Sequence, residues 1–151
     1  MPVTDGPEGG AADGPGRPGR GHGAQRAARR RAVDVLYQSD ITGRPPTEVI
    51  EAWRQAGKPV TERAADLAQG VEADLSRIDR LLGEHAEGWT VARMATVDRS
   101  ILRVATFELL AGVPPAVAIN EAVDMAAELS TEASGRFING VLGKVARVLG
   151  A

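Results

Sequence analysis

The run Arg26-Ala27-Ala28-Arg29-Arg30-Arg31 is the sharpest chemical feature of the chain. Guanidinium groups neutralise phosphates and carry forked donors that also reach base edges, so several within two helical turns make a salt-dependent nucleic-acid footprint. The alternative use of such a run is an ordinary solvated surface. Its position argues against that alternative, because at a helix N-terminus the macrodipole and i,i+3 and i,i+4 repulsion each cost roughly 0.3–1 kcal/mol per cation. On a wheel of about 100° per residue, Arg26, Arg29 and Arg30 continue the face of Val33, Leu36 and Tyr37 and should overhang the rim of the core. Arg31 points to a different side. If each of the four neutralised one phosphate of single-stranded RNA, log K against log salt would slope at about −2.8.

Catalysis has little to work with. The 151 residues contain no Cys and two His, which excludes disulfides, thiolate nucleophiles and Cys- or His-rich metal sites. His22 falls in a Gly/Pro-rich stretch, and His85 stands between Glu84 and Glu87 at a helix end with no Ser or Cys nucleophile signature. Asp66, Glu72, Asp74 and Asp79 fall mostly off the apolar stripe of their helix and read as a solvated face. No P-loop, HExxH, GxSxG or EF-hand pattern occurs. Gly14-Pro15-Gly16-Arg17-Pro18-Gly19 spells GxGxxG, but no strand precedes it and its prolines forbid the strand–turn–helix path. The expectation is a non-enzyme with no cofactor and no metal.

The elements that position the arginines follow from periodicity. Residues 1–24 are Gly, Pro and small polar residues without periodic apolar positions, and are expected to form a disordered tail ahead of a folded domain over 25–151. A first helix begins at Gln25 with Val33, Leu36, Tyr37 and Ile41 on one face and ends before Gly43 and Pro45-Pro46. Thr47 is placed to cap a short second helix through Val49, Ile50 and Trp53. Ala64, Leu67, Ala68, Val71, Leu75, Ile78 and Leu82 then recur every three or four residues, as one long amphipathic helix. A break at Gly88-Trp89-Thr90 and a short turn around Val91–Met94 precede a helix from Val97 to Leu110, which stops at Gly112 before Pro114-Pro115. Two more cover about Ala116–Leu129 and Ser134–Leu149. Nothing alternates with period two, so the expected fold is all-α, with about seven helices and short loops.

Charge and composition agree with a binding role. The net charge of −2 hides a basic first segment, +3 over residues 1–31, ahead of a body at −5. Such separation points to an anionic partner for the basic part, nucleic acid first. No apolar run approaches the roughly 20 residues needed to span a bilayer, and the chain is expected in the cytoplasm. Aromatic residues make up 3% of the chain, which leaves Tyr37, Trp53, Trp89, Phe107 and Phe137 as the stacking candidates. Most of these should be core, with Tyr37 and Phe137 the ones expected to be partly exposed.

Three stretches together resemble one family. Arg30-Arg31-Ala32-Val33-Asp34-Val35-Leu36-Tyr37-Gln38 is similar to the opening Arg-rich helix of the NusB transcription antitermination factors, and Val97-Asp98-Arg99-Ser100-Ile101-Leu102-Arg103-Val104-Ala105-Thr106-Phe107-Glu108-Leu109 to their central helix. Val117-Ala118-Ile119-Asn120-Glu121-Ala122-Val123 and Phe137-Ile138-Asn139-Gly140-Val141-Leu142 resemble their last two. The resemblance implies two small packed helical bundles and no catalysis. It further implies that the protein pairs with NusE, a small-subunit ribosomal protein, binds boxA-type single-stranded RNA of nascent ribosomal RNA leaders, and joins the RNA polymerase antitermination complex. By the same resemblance, Arg26, Arg29, Arg30, Arg31, Tyr37, Arg136 and Phe137 would form the RNA surface, and Asp98 and Arg99 the partner surface. A similar fold opens some RNA cytosine methyltransferases as an RNA-guiding module, but those chains carry a catalytic Cys that is absent here. Homodimerisation through the RNA or partner face is left open.

Several polar residues also have structural readings. Asn120-Glu121 would satisfy free N–H groups in the first turn of their helix, Arg103 and Glu108 would make interhelical hydrogen bonds, and Gly140 would mark a close helix–helix approach.

Overall fold

Each helix read from the periodicity forms, and one read as continuous breaks. The computed structural model describes residues 20–150, with side chains from Gly23 onward. They form α1 (Arg20–Thr42), α2 (Pro46–Gln55), α3 (Glu62–Ala73), α4 (Leu75–His85), a 3-10 turn (Val91–Arg93), α5 (Thr96–Leu110), α6 (Pro115–Leu129) and α7 (Glu132–Val148), with no strand among the described residues. The first helix opens at Arg20, five residues before Gln25, so the backbone at His22 is helical. The remainder of the expected tail, residues 1–19 with the Gly14–Gly19 motif, lies outside the described residues.

The long helix expected through Leu82 divides at Asp74, whose φ of −113° and ψ of 18° leave the helical ladder. The apolar spacing continues through the break, and the reason for the break is tertiary. Helix α3 packs on α1 and α5, whereas α4 packs on α5 and α7, and one straight rod cannot face both sets of neighbours. Leu75, in the presumed stripe, is left 37% exposed.

Local signals set most of the remaining ends. Gly43 adopts φ +77° and its N–H closes on the Ser39 carbonyl at 2.8 Å, which ends α1. Pro46 occupies the first position of α2, so Pro45 is the N-cap and Thr47 lies inside the helix. Instead of capping, Thr47 donates from its N–H and hydroxyl to Glu72 Oε1 of α3 at 3.1 and 2.7 Å. Thr61 caps α3 and Thr131 caps α7, each accepting from the N–H three residues on.

Two small bundles, α1–α3 and α4–α7, meet on α5, which touches α1, α3, α4, α6 and α7. Ile101, Leu102 and Val104 of α5 are fully buried within one continuous apolar cluster that also takes in Val33, Val71, Ile78, Ile138 and Leu142. Each such side chain contributes about 1.5–3 kcal/mol by leaving water. Arg103 reinforces this junction, binding Asp79 of α4 at 2.8 and 2.9 Å and Asp40 of α1 at 3.2 Å. Burial disfavours its charge, but the hydrogen bonds and charges of Asp79 and Asp40 outweigh that and raise its pKa. Arg103 and Glu108 thus do bond across helices, each to partners other than the other.

The close approach expected at Gly140 is elsewhere. Gly140 is exposed, with open space where a side chain would stand. Gly70 is the tight position: a Cβ there would overlap the Phe107 ring, so its absence lets α3 lie down on α5. No helix among the described residues is long and apolar enough to cross a membrane.

Candidate nucleic-acid interface

The arginine run is split by the turn of its own helix into three environments. Arg29 faces inward and is 5% exposed, with Nε donating to both oxygens of the buried Glu108 carboxylate at 2.8 and 3.0 Å and Nη1 lying 3.8 Å from Glu121. It cannot reach a phosphate, and its expected place in the RNA surface is corrected to an internal ion pair between α1 and α5. The helical wheel put Arg29 on the core-facing side, and it lies one turn before Val33, which is why it is swallowed.

Arg26 and Arg30 flank it at the rim. Arg26 Nε donates to Glu121 Oε1 at 2.9 Å and its Nη2 to Asp124 at 2.7 Å, while Arg30 Nη1 reaches Glu128 at 3.1 Å. Their side chains remain 51% and 46% exposed. The bond to Glu121, then its charge, raises the Arg26 pKa, so the cation persists throughout the working pH range. Together the two arginines and the α6 acids line an open groove of about 500 Å³. The expectation of guanidinium groups overhanging the core holds for Arg26 and Arg30, with a partner set on α6 that linear spacing did not reveal.

Arg31 turns away, as its wheel position requires. Its Nε donates to the Pro59 carbonyl at 3.0 Å and its guanidinium lies 4.7 Å from the centre of the Trp53 ring, which Lys58 also approaches at 5.1 Å. Tyr37 is 41% exposed, but at a rise of about 1.5 Å per residue it stands some 16 Å along α1 from Arg26 and does not share its groove.

The last helix extends the surface. Arg136 is 72% exposed, 3.8 Å from Glu132, and lines a second open groove, of about 550 Å³, that shares Asp124 as a wall with the first. Phe137, half-buried, faces the other side of α7 and meets Trp89 edge-on with ring centroids 6.3 Å apart. Trp89, expected in the core, is 48% exposed, and Arg93 lies 6.0 Å from its ring centre. Trp89 is among the stacking candidates read from the sequence but is expected there to be core, and Arg93 is not among the expected site residues. The available signal was a Trp placed directly after Gly88, within a helix break where little can cover it.

The two expected partner-surface residues point inward. Asp98 is 7% exposed and accepts from Ser134 Oγ at 2.8 Å. Arg99 binds Asp40 at 3.0 Å and donates to the carbonyls of Val91 and Met94, fastening the 3-10 turn to α1. Both side chains are consumed in positioning the fold, and neither presents its charge to a protein partner. Asn120-Glu121 does not cap α6: Asn120 is exposed, and Glu121 serves as the carboxylate for Arg26. Among the described residues no group of His, Asp or Glu is arranged to hold a metal.

The chain matches the NusB family model over residues 26–147. It is 50% identical over 133 residues to the transcription antitermination protein NusB of Saccharopolyspora erythraea, covering 83% of this chain and 88% of that relative. Its fold superposes on that of NusB from T. maritima with a TM-score of 0.67 at 30% identity, over 82% of this chain and 90% of the other. A crystal structure of the antitermination factors NusB and NusE in complex with double-stranded RNA gives a TM-score of 0.71 at 25% identity, covering 82% and 96%.

Proposed function

The chain belongs to the NusB family, and on that premise we propose that it is a transcription antitermination factor. In this reading it binds boxA-type single-stranded RNA of nascent ribosomal leaders together with a NusE-type ribosomal protein, within the RNA polymerase antitermination complex in the cytoplasm. Its role is binding, with no bond made or broken. The observation that carries the reading is the arc of exposed cations and aromatic edges from Arg26 and Arg30, across α6, to Arg136, Phe137 and Trp89 on the flank of α7. Cations on this arc take the phosphates, and the aromatic faces suit unstacked bases. The acidic body supports a basic ribosomal-protein partner, because opposite charge speeds encounter and suppresses wrong pairing.

With Arg29 withdrawn into the core and Arg31 turned to a separate face, the α1 contribution to the salt slope falls to that of two arginines, about −1.4. The decisive experiment co-purifies the chain with its endogenous ribosomal protein and measures retention of ribosomal leader RNA by the pair and by each component. The pair should retain more than either alone, and Arg26→Ala with Arg30→Ala should release the RNA while leaving the protein pair intact. Equal retention of a scrambled RNA, or full retention by the double variant, would refute the reading.

A further inference from the structure

At the corner where α2 turns into α3, two cations gather on one aromatic ring. The Arg31 guanidinium lies 4.7 Å from the centre of the Trp53 ring and the Lys58 ammonium 5.1 Å from it. The two charges therefore stand within about 10 Å, the Debye length at 0.1 M salt, and repel each other. Among the described residues no carboxylate accepts a hydrogen bond from either. Arg31 spends one donor, Nε–H, on the Pro59 carbonyl, and the Asp34 carboxylate stays 3.6 Å away. Lys58 is exposed and forms no ion pair with a described residue. One cation on the ring serves stability, and so does the bond that ties α1 to the loop. A second cation there adds repulsion, which stability does not explain.

We infer that this corner takes backbone phosphates of RNA that flanks the segment held in the α1–α6 groove. The inference rests on the RNA-binding reading above and lengthens its surface. Charge calls for an anionic partner: residues 54–63 hold Arg54, Lys58 and Arg63 against Glu62, within a body that is acidic. Continuity with the groove selects RNA as that partner. Arg30 lines the groove and Arg31, the next residue, serves the corner, so the outer ridge of α1 is what separates the two. On that ridge Ala27 is exposed and lies one turn before both arginines. A turn earlier, Gly23 has open space where a side chain would stand. A polynucleotide leaving the groove thus crosses a helix about 10–12 Å wide over residues that present no more than a methyl group. With its ring already held by Arg31 and Lys58, Trp53 is not offered for base stacking, and the corner reads backbone without regard to sequence.

The test uses the full chain paired with its ribosomal protein and two RNAs, a boxA-type leader segment alone and the same segment extended by about ten uridines at each end. The extended RNA should bind more tightly at low salt, with a slope steeper by about 1.4 for two further phosphates, so that about sevenfold of its advantage is lost between about 50 and 200 mM salt. Lys58→Ala, at an exposed position, should halve that extra slope with little change in Tm, and Lys58→Arg should preserve it. The chain has no Cys, so a fluorophore on Ala56→Cys, exposed at the end of α2, marks the corner alone. Its signal should change with the extended RNA and stay constant with the short one. Equal slopes for the two RNAs, an extra slope untouched by Lys58→Ala, or a silent fluorophore would each overturn the corner while leaving the RNA-binding reading of the groove standing. A fluorophore response to polyglutamate at concentrations where oligouridylate gives none would overturn it in favour of an acidic protein. Failure of both RNAs to bind at low salt would overturn the groove and the corner together.

Discussion

Replacing Arg29 by Met tests whether the arginine run is divided between stability and binding. Glu108 has a side-chain exposure of 6% and Arg29 supplies both of its hydrogen bonds, so the substitution leaves a carboxylate in the core without a partner. Uncompensated charges of this kind cost about 3–5 kcal/mol. At about 3 °C per kcal/mol for a domain of this size, Tm should fall by roughly 9–15 °C. The converse change, Glu108→Gln, should cost less, because Arg29 keeps the Glu121 carboxylate 3.8 Å away. Arg29→Met combined with Glu108→Leu should recover most of the loss, since a buried pair replaced by apolar groups of similar volume is often neutral or stabilising. Thermal and urea denaturation of the four proteins give the cycle, and RNA titration across a salt series gives the second readout. Where the Arg29 variants are folded, the salt slope should match that of the parent. A loss below about 1 kcal/mol for Arg29→Met, or a slope shallower by about 0.7, would mean that Arg29 serves a phosphate after all.

Asp124→Asn with Glu128→Gln removes exposed carboxylates that now hold Arg26 and Arg30, so RNA affinity should rise about fivefold at low salt and the gain should shrink as salt is added. Anisotropy titrations at two ionic strengths check this, and unchanged affinity would remove the α1–α6 groove from the RNA surface. Gly70→Ala should lower stability by about 1–3 kcal/mol by driving a Cβ into the Phe107 ring, and Phe107→Leu should relieve part of that loss in the double variant. Gly140→Ala, in open space on a helix, should instead raise stability by about 0.5–1 kcal/mol in the same denaturation assay. A cost at Gly140 would show that its neighbours are closer than the structure places them.

Much of the scaffold was legible because its signals are local. The apolar positions of α1, α5, α6 and α7 recur at helical spacing, and Gly43, Pro46, Gly112 and Pro115 stand where the chain must enter or leave a helix. The identity of the basic cluster was equally local, as was the turn of Arg31 to a separate face, which a helical wheel supplies without any neighbour. The Asp74 break was not legible: the apolar repeat runs through it unbroken, and the bend exists because α3 and α4 answer to different packing partners.

The sequence by itself determined that this chain is helical, that it lacks the side chains for thiolate or zinc chemistry, and that its cations gather at one helix start. Those properties depend on residue type and on separations of a few positions. Tertiary structure alone decided which cations remain available, because the carboxylates that neutralise Arg26, Arg29 and Arg30 lie 79 to 98 residues away in the chain. It likewise decided that Asp98 and Arg99 turn inward and that Trp89 stays uncovered, since burial is set by how helices close over one another.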